Sequence, residues 1–370
     1  MHHRTAAWTA ALLSVPLLAV AAPAGAAPPS GPGTQELATG LVSPLAMSVA
    51  RDGTVYVSEQ FAGRLTAVSP RGATRTVAEG PVSGVDATGR GTLTVTLSAP
   101  PEDETQEAVG AVARVDARGR LVTIGSTLDH EVATNPDAGQ VYGFVDAGAD
   151  CLADTELVGV GAPYPGIVES NPYAVLVHGG DRVVADAAGN SIVRVRPNGT
   201  VRTVAVLPPV EVEFTEEVRQ GLLAQVPPGE LPPDLFEPCV GLTIRAEPVP
   251  TDVELGPDGM YYVSSLPGFP EAPGTGGVYR VDPRTGSATR LHDGLTGAVD
   301  LAVDSSGAVY VAELFAGQVT RIAPDGSRTS VPVDSPGAVE VDRHGAVYVT
   351  TGVFAETGGS LLRWGAWPGA

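Results

Sequence analysis

One unit recurs through the chain and restricts its fold more than any other feature. It is an apolar strand, a glycine turn, an alternating strand, and a second strand pair that closes in a Pro/Asp/Gly turn. The first copy runs from Pro44 to Glu59 (PLAMSVARDGTVYVSE) and continues over 63–77. The fifth, from Ala298 to Glu313 (AVDLAVDSSGAVYVAE) and then from Gln318 to Val331, matches it almost position for position. The third begins at Asn171-Pro172-Tyr173 and ends near Val204, and the fourth runs from Pro250 to Pro283. The second, from Gly84 to Gly119, is degenerate, and the sixth, from Gly337 to Trp364, stops after three strands. Tyr and Val alternating at period two between glycine turns specify antiparallel strands joined by hairpins. Four strands per unit at a spacing of about 40 residues is the arithmetic of an all-β, six-bladed β-propeller with four-stranded antiparallel blades. One strand-like segment, Thr34 to Thr39, belongs to no copy. It is expected to pair outside Leu361–Trp364, completing the last blade and closing the ring without a long open edge. A β-sandwich would not need six equivalent units.

Residues 1–26 are expected to be a cleaved signal peptide: Arg4, a short apolar run broken by Pro16, then Ala24-Gly25-Ala26. Residues 27–370 are then a secreted, extracellular single domain, expected to be a monomer. All 22 basic residues are arginine, against 42 acidic ones, for a net charge of -20. Such a charge opposes nucleic-acid and anionic-lipid partners and leaves metal ions or cationic partners compatible. Without lysine, no Schiff base forms on a side-chain amine. Cys151 and Cys239 are the two cysteines, and export favours one disulfide between them.

Every long insertion falls at a second-strand end or at a passage between copies, positions that share one face of a propeller. Residues 98–110, 266–276 and 353–359 are of the first kind; 125–170 and 207–247, the longest, are of the second. Insertions on one face mark the binding side of a repeat protein. Each of the two longest carries one cysteine, so a disulfide would tie them into a cover. Within the second, the segment from Thr215 to Gln225 reads as a short helix with Thr215 as its cap.

Two positions per copy face the expected channel mouth. One reads Ala46, Tyr173, Asp252, Asp300 and Ala338; the other reads Glu59, Asp186, Ser265, Glu313 and Thr351. Glu59, Asp186, Asp252, Asp300 and Glu313, with Tyr173, are the ligand-binding candidates. Carboxylates this close repel one another and need a cation, a shared proton or water. Their hard oxygens suit calcium, with Asp252, Asp300, Glu59 and Glu313 as its ligands. Alternatively they cap strand ends, pair with arginines such as Arg64 or Arg321, or sit in a water-filled channel. His130-Glu131 resembles the start of a zinc-protease helix but lacks the second histidine.

Asn135-Pro-Asp-Ala-Gly139, Asn171-Pro172-Tyr173, the stretch from Ala185 to Asn190 and that from Pro248 to Gly259 resemble the ScyD/ScyE family of exported bacterial proteins. The likeness implies a six-bladed propeller related to the NHL-like and gluconolactonase-like folds, without a settled activity. The calcium-dependent lactonases place a glutamate where this chain has Val42-Ser43-Pro44-Leu45. The leading expectation is therefore a non-catalytic extracellular propeller binding an unknown small molecule or partner on its insertion-bearing face. A calcium-dependent hydrolase or lactonase is the first alternative, and a structural or assembly module of the cell envelope the second.

Overall fold

The computed structural model describes residues 33–87, 92–101 and 108–368. The expected signal peptide lies outside them. The described chain is all-β apart from three short α-helices and two single 3-10 turns, and its strands form seven four-stranded antiparallel sheets. Among the described residues no helix is long and apolar enough to cross a membrane.

Five sheets are single repeat copies folded as four-strand meanders. They begin with the strands Pro44–Val49, Val82–Asp86, Pro172–His178, Pro250–Leu255 and Ala298–Val303. A sixth is built from Val339–Val341, Val347–Thr351 and Gly359–Trp364, and its fourth strand is Thr34–Leu41. That terminal strand pairs antiparallel with Gly359–Trp364, Thr34 opposite Trp364 and Leu41 opposite Gly359. Each first strand packs against the first strand of the next sheet, and Val339–Val341 returns to Pro44–Val49.

Short polar devices set the hairpins. Between the first two strands of the first sheet, Asp52 Oδ1 accepts the Thr54 N–H at 2.9 Å, and Gly53 occupies the left-handed region at φ 84°. The same aspartate turn recurs at Asp304, which accepts from Ser306 and Ala308, and at Asp342, which accepts from His344 and Ala346. Side chains stabilise such turns by taking over backbone donors that no strand partner can reach.

Alternation then sends one face of each sheet into its neighbour. Val183, Ala185 and Ile192 of the third repeat sheet pack on Val253, Val263, Tyr261 and Tyr279 of the fourth, all buried. Polar side chains stitch the same interfaces nearer the axis. Ser58 donates to the Val82 carbonyl at 2.8 Å, Thr251 to the Ala298 carbonyl at 2.8 Å, and Thr350 to the Pro44 carbonyl at 2.7 Å.

The seventh sheet was not foreseen from sequence. It joins Val141–Phe144 and Tyr164–Pro165 of the first long insertion to Val210–Glu213 and Thr243–Ala246 of the second. Helices Thr127–Thr134 and Ala149–Val158 also belong to the first insertion. The expected helix of the second is present as Glu216–Leu223, and the Thr215 hydroxyl accepts the Val218 N–H at 3.2 Å. Cys151 and Cys239 are disulfide-bonded, 88 residues apart in sequence, joining the two insertions as expected. Both are buried among Phe144, Phe214, Phe236 and Ile244. Replacing both cysteines (Cys151→Ala with Cys239→Ala) should lower unfolding free energy by about 2–5 kcal/mol, since the loop they close is long. Equilibrium denaturation measures this, and an unchanged midpoint would contradict it.

Candidate active site

Strand geometry brings a set of carboxyl groups together on the axis. Side chains two residues apart on a strand share a face, so Asp252 and Glu254 both look inward from Pro250–Leu255. Asp300 and Glu340 come from the next two first strands, and Asp86 from the second repeat sheet. All five line one cavity of about 520 Å³. Its rim includes Arg51, Arg343 and His344, in the turns that join first strands to second strands. Those turns sit at the opposite end of the sheets from the insertions, because Pro44 pairs with Glu59 and Pro250 with Ser265 at the other end.

Backbone donors of the adjacent sheet hold three of the carboxyls. Asp252 Oδ2 accepts the Leu301 N–H at 3.1 Å, Asp300 Oδ1 the Val339 N–H at 2.8 Å, and Asp86 Oδ2 the Val177 N–H at 2.6 Å. Among the described residues no arginine or histidine forms an ion pair with Asp252, Glu254, Asp300 or Glu340. Asp252 and Asp300 are buried, while Glu254 and Glu340 keep some contact with the cavity, whose walls still strip most of their hydration. Burial pushes the Asp252 carboxyl up to about 7, against the lowering effect of the N–H groups of Leu301 and Val253. Burial first, and then the charge of Asp252, raises Asp300 well above the usual carboxylate range. Glu254 is raised by burial and then by Glu340, and Glu340 by burial and then by Asp252. Asp252, Glu254, Asp300 and Glu340 are therefore all biased toward their protonated forms, which is the condition for one carboxyl to act as an acid and another as a base.

Three of the six sequence candidates meet here. Tyr173 stands close enough to Asp300 and Asp252 that their charges, after burial, raise its hydroxyl pKa. The other three are held elsewhere by hydrogen bonds. Glu59 accepts from Arg64 Nε at 2.7 Å, Thr66 Oγ1 at 2.5 Å and the Val42 N–H at 2.7 Å. Burial alone would raise its pKa, but these donors outweigh burial and bring it below the usual value. Glu313 is held the same way, by Gln318 at 2.9 Å, Thr320 at 2.5 Å and the Thr296 N–H at 2.7 Å. Asp186 takes the Ser170 hydroxyl at 2.6 Å and the Asn171 N–H at 2.7 Å, beneath the insertions. Glu254 and Glu340 were missed. The signal for Glu254 was its spacing, two residues beyond Asp252 on a strand already assigned.

The oxygens of this set suit a hard cation. Even so, among the described residues no group of three or more His, Cys, Asp or Glu side chains converges as a metal centre requires.

No family model matches the chain, and no curated protein does. Solved structures do. A gluconolactonase from Xanthomonas campestris is 14% identical with a TM-score of 0.53, covering 89% of this chain and 88% of its own. A Thermus thermophilus protein assigned as an oxidoreductase (glucose dehydrogenase) is 16% identical with a TM-score of 0.54, covering 90% and 99%. A Bacteroides thetaiotaomicron protein of unknown function is 11% identical with a TM-score of 0.54, covering 90% and 75%. At these identities the likeness establishes the fold, a β-propeller. The expectation of a non-catalytic binding propeller is set aside, because the two of these three structures that carry a named activity are described as enzymes.

The raised carboxyl pKa values carry a stability prediction. A carboxyl whose folded pKa exceeds its unfolded one binds more protons in the folded state, so stability falls as pH rises through that interval. For Asp252 the interval runs from the ordinary value of 3.8 to about 7. The melting temperature should therefore fall between about pH 4 and pH 8. In Asp252→Asn with Glu340→Gln the fall should be shallower, and the variant should melt higher than wild type at pH 8. Thermal melts across that range check this; parallel pH profiles for the two proteins would refute it.

Proposed function

We propose that this protein is a lactonase-class hydrolase that opens a cyclic ester in the central channel, with Asp252 and Asp300 as its working carboxyls. The observation that carries the reading is the group of Asp252, Glu254, Asp300 and Glu340, without ion-paired partners among the described residues, facing a cavity large enough for a small sugar-sized ring. The likeness to a gluconolactonase supports it, because that protein carries lactone chemistry on the same fold. So do the order of packing and the Thr34–Leu41 pairing, which fit six blades around one axis with the amino-terminal strand closing the last. The seventh sheet is then an accessory built on the insertion face. Export and a monomeric state belong to the same reading, as does the resemblance to ScyD/ScyE proteins.

The chemistry needs two groups at different protonation states. A water molecule attacks the lactone carbonyl carbon and passes a proton to the ionised member of the Asp252–Asp300 pair. The ring C–O bond breaks, and the protonated member gives its proton to the departing alkoxide oxygen. The product is a hydroxy acid, and the pair again holds one proton. The Tyr173 hydroxyl, kept protonated by its raised pKa, can donate a hydrogen bond to the oxygen that becomes negative. Arg51 and Arg343 on the rim favour a substrate or product carrying a carboxylate. Among the described residues the channel carboxyls do not converge as a group of three or more that could hold a metal ion, so no step is assigned to calcium.

The test is hydrolysis of a panel of γ- and δ-lactones followed by proton release. Asp300→Asn should lower kcat/KM by about 100- to 10,000-fold. Wild-type protein that hydrolyses none of them above the uncatalysed rate would defeat the reading.

A further inference from the structure

A second group of acids lies away from the channel, beneath the insertions. Helix Thr127–Thr134 begins at Ser126, whose hydroxyl accepts the Asp129 N–H at 2.9 Å, and ends at Asn135 in the left-handed region. Its last turn and the loop beyond carry Glu131, Asn135 and Asp137. Glu131 and Asp137 are 0% and 1% exposed. Four oxygens of this short segment are buried and have no hydrogen-bond partner: both carboxylate oxygens of Glu131, Asn135 Oδ1 and Asp137 Oδ1.

The neighbours define where these oxygens point. A Cβ on Gly189 would lie 2.5 Å from Glu131 Oε1 and 3.4 Å from the Asp186 carboxyl carbon, so the two acids meet over that glycine. Asp137 Oδ2 accepts Asn190 Nδ2 at 3.0 Å and the Tyr142 hydroxyl at 2.9 Å. Asn135 Nδ2 donates to the Gly166 carbonyl at 3.0 Å, and the missing Cβ of Gly166 makes room for Asp137. Glu247 closes another side, accepting Asn190 Nδ2 at 3.3 Å. Among the described residues no ion pair reaches Glu131, Asp137, Asp186 or Glu247.

Several carboxyl groups without an ion-paired partner, one of them wholly buried with both oxygens unpaired, are strongly unfavourable as anions in ordinary protein interior, and burial pushes the Glu131 carboxyl up to about 8. A proton relieves one charge and leaves the other orphaned oxygens as they are. A hard cation takes donors of this kind: two carboxylates, an amide oxygen and backbone carbonyls are common calcium ligands. The helix carboxyl end adds its own negative potential. We infer that the two carboxyls of Glu131 and Asp137, with the Asn135 amide oxygen and not as part of a group of three acids, seat a divalent cation of the calcium type that pins the first insertion onto the third repeat sheet. This rests on residues separate from the channel and holds whether or not the channel hydrolyses lactones.

Terbium is the probe, because Tyr142 bonds directly to Asp137 and can sensitise its emission. Chelator-treated wild-type protein should show tyrosine-sensitised terbium luminescence that calcium displaces, and calcium at about 100-fold over its Kd should raise Tm by several degrees. Glu131→Gln, which replaces the buried carboxylate by a neutral group of the same shape, should stay folded and lose both responses. Asp252→Asn, in the channel, should keep both. No terbium emission and no calcium shift in wild type would overturn the inference, as would full binding by Glu131→Gln or loss of binding in Asp252→Asn.

Discussion

The first strand of each sheet has an edge that no strand of its own sheet covers, and the fold depends on satisfying that edge. An unpaired N–H or C=O buried there costs about 1–3 kcal/mol. The neighbouring sheet supplies the missing partner: Ser58, Thr251 and Thr350 give hydroxyls to carbonyls, and Asp86, Asp252 and Asp300 accept N–H groups. The same contacts that hold sheet to sheet thus draw carboxylates onto the axis. Structural need and chemical potential share residues.

Once there, Asp252 and Asp300 are pushed toward their protonated forms by burial. Asp252 and Asp300 each commit one oxygen to a backbone donor, and the walls remove water from the rest. Glu254 and Glu340 add charge from adjacent inward positions. The glutamates Glu59 and Glu313 illustrate the contrast, because each sits among strong donors and serves to brace a loop. Carboxyls at different points of the repeat therefore differ in role according to their neighbours. A hydroxyl or guanidinium within reach makes a brace, and its absence makes an acid.

Much of the architecture was legible in the sequence because its signals are local. Val-Tyr-Val alternation and Asp-Gly turns lie within single hairpins, and Thr215 announced its helix by capping it. The unclaimed strand at Thr34–Leu41 and the Cys151–Cys239 pair followed from what the repeats left over. The accessory sheet was not legible, because Gly143 pairs with Arg245 across a long stretch of chain that includes a whole repeat, without a turn to declare it. The channel set was half legible. Asp252 and Asp300 stood out by repeat position, whereas Glu254 and Glu340 occupy positions filled by Ser48 and Ala302 in other copies. The acid nest around Glu131 was least visible: its members come from a helix end, a loop and two strand ends that only folding brings together.

The proposed chemistry requires that the raised carboxyls of Asp252, Glu254, Asp300 and Glu340 still hold protons at neutral pH. Infrared difference spectroscopy across a pH titration reads this directly, through the C=O stretch of protonated carboxyl groups. The account predicts such a band persisting at pH 7 in wild type and diminished in Asp252→Asn with Asp300→Asn. Complete ionisation of all carboxyls by pH 5, or a band indifferent to both substitutions, would contradict it.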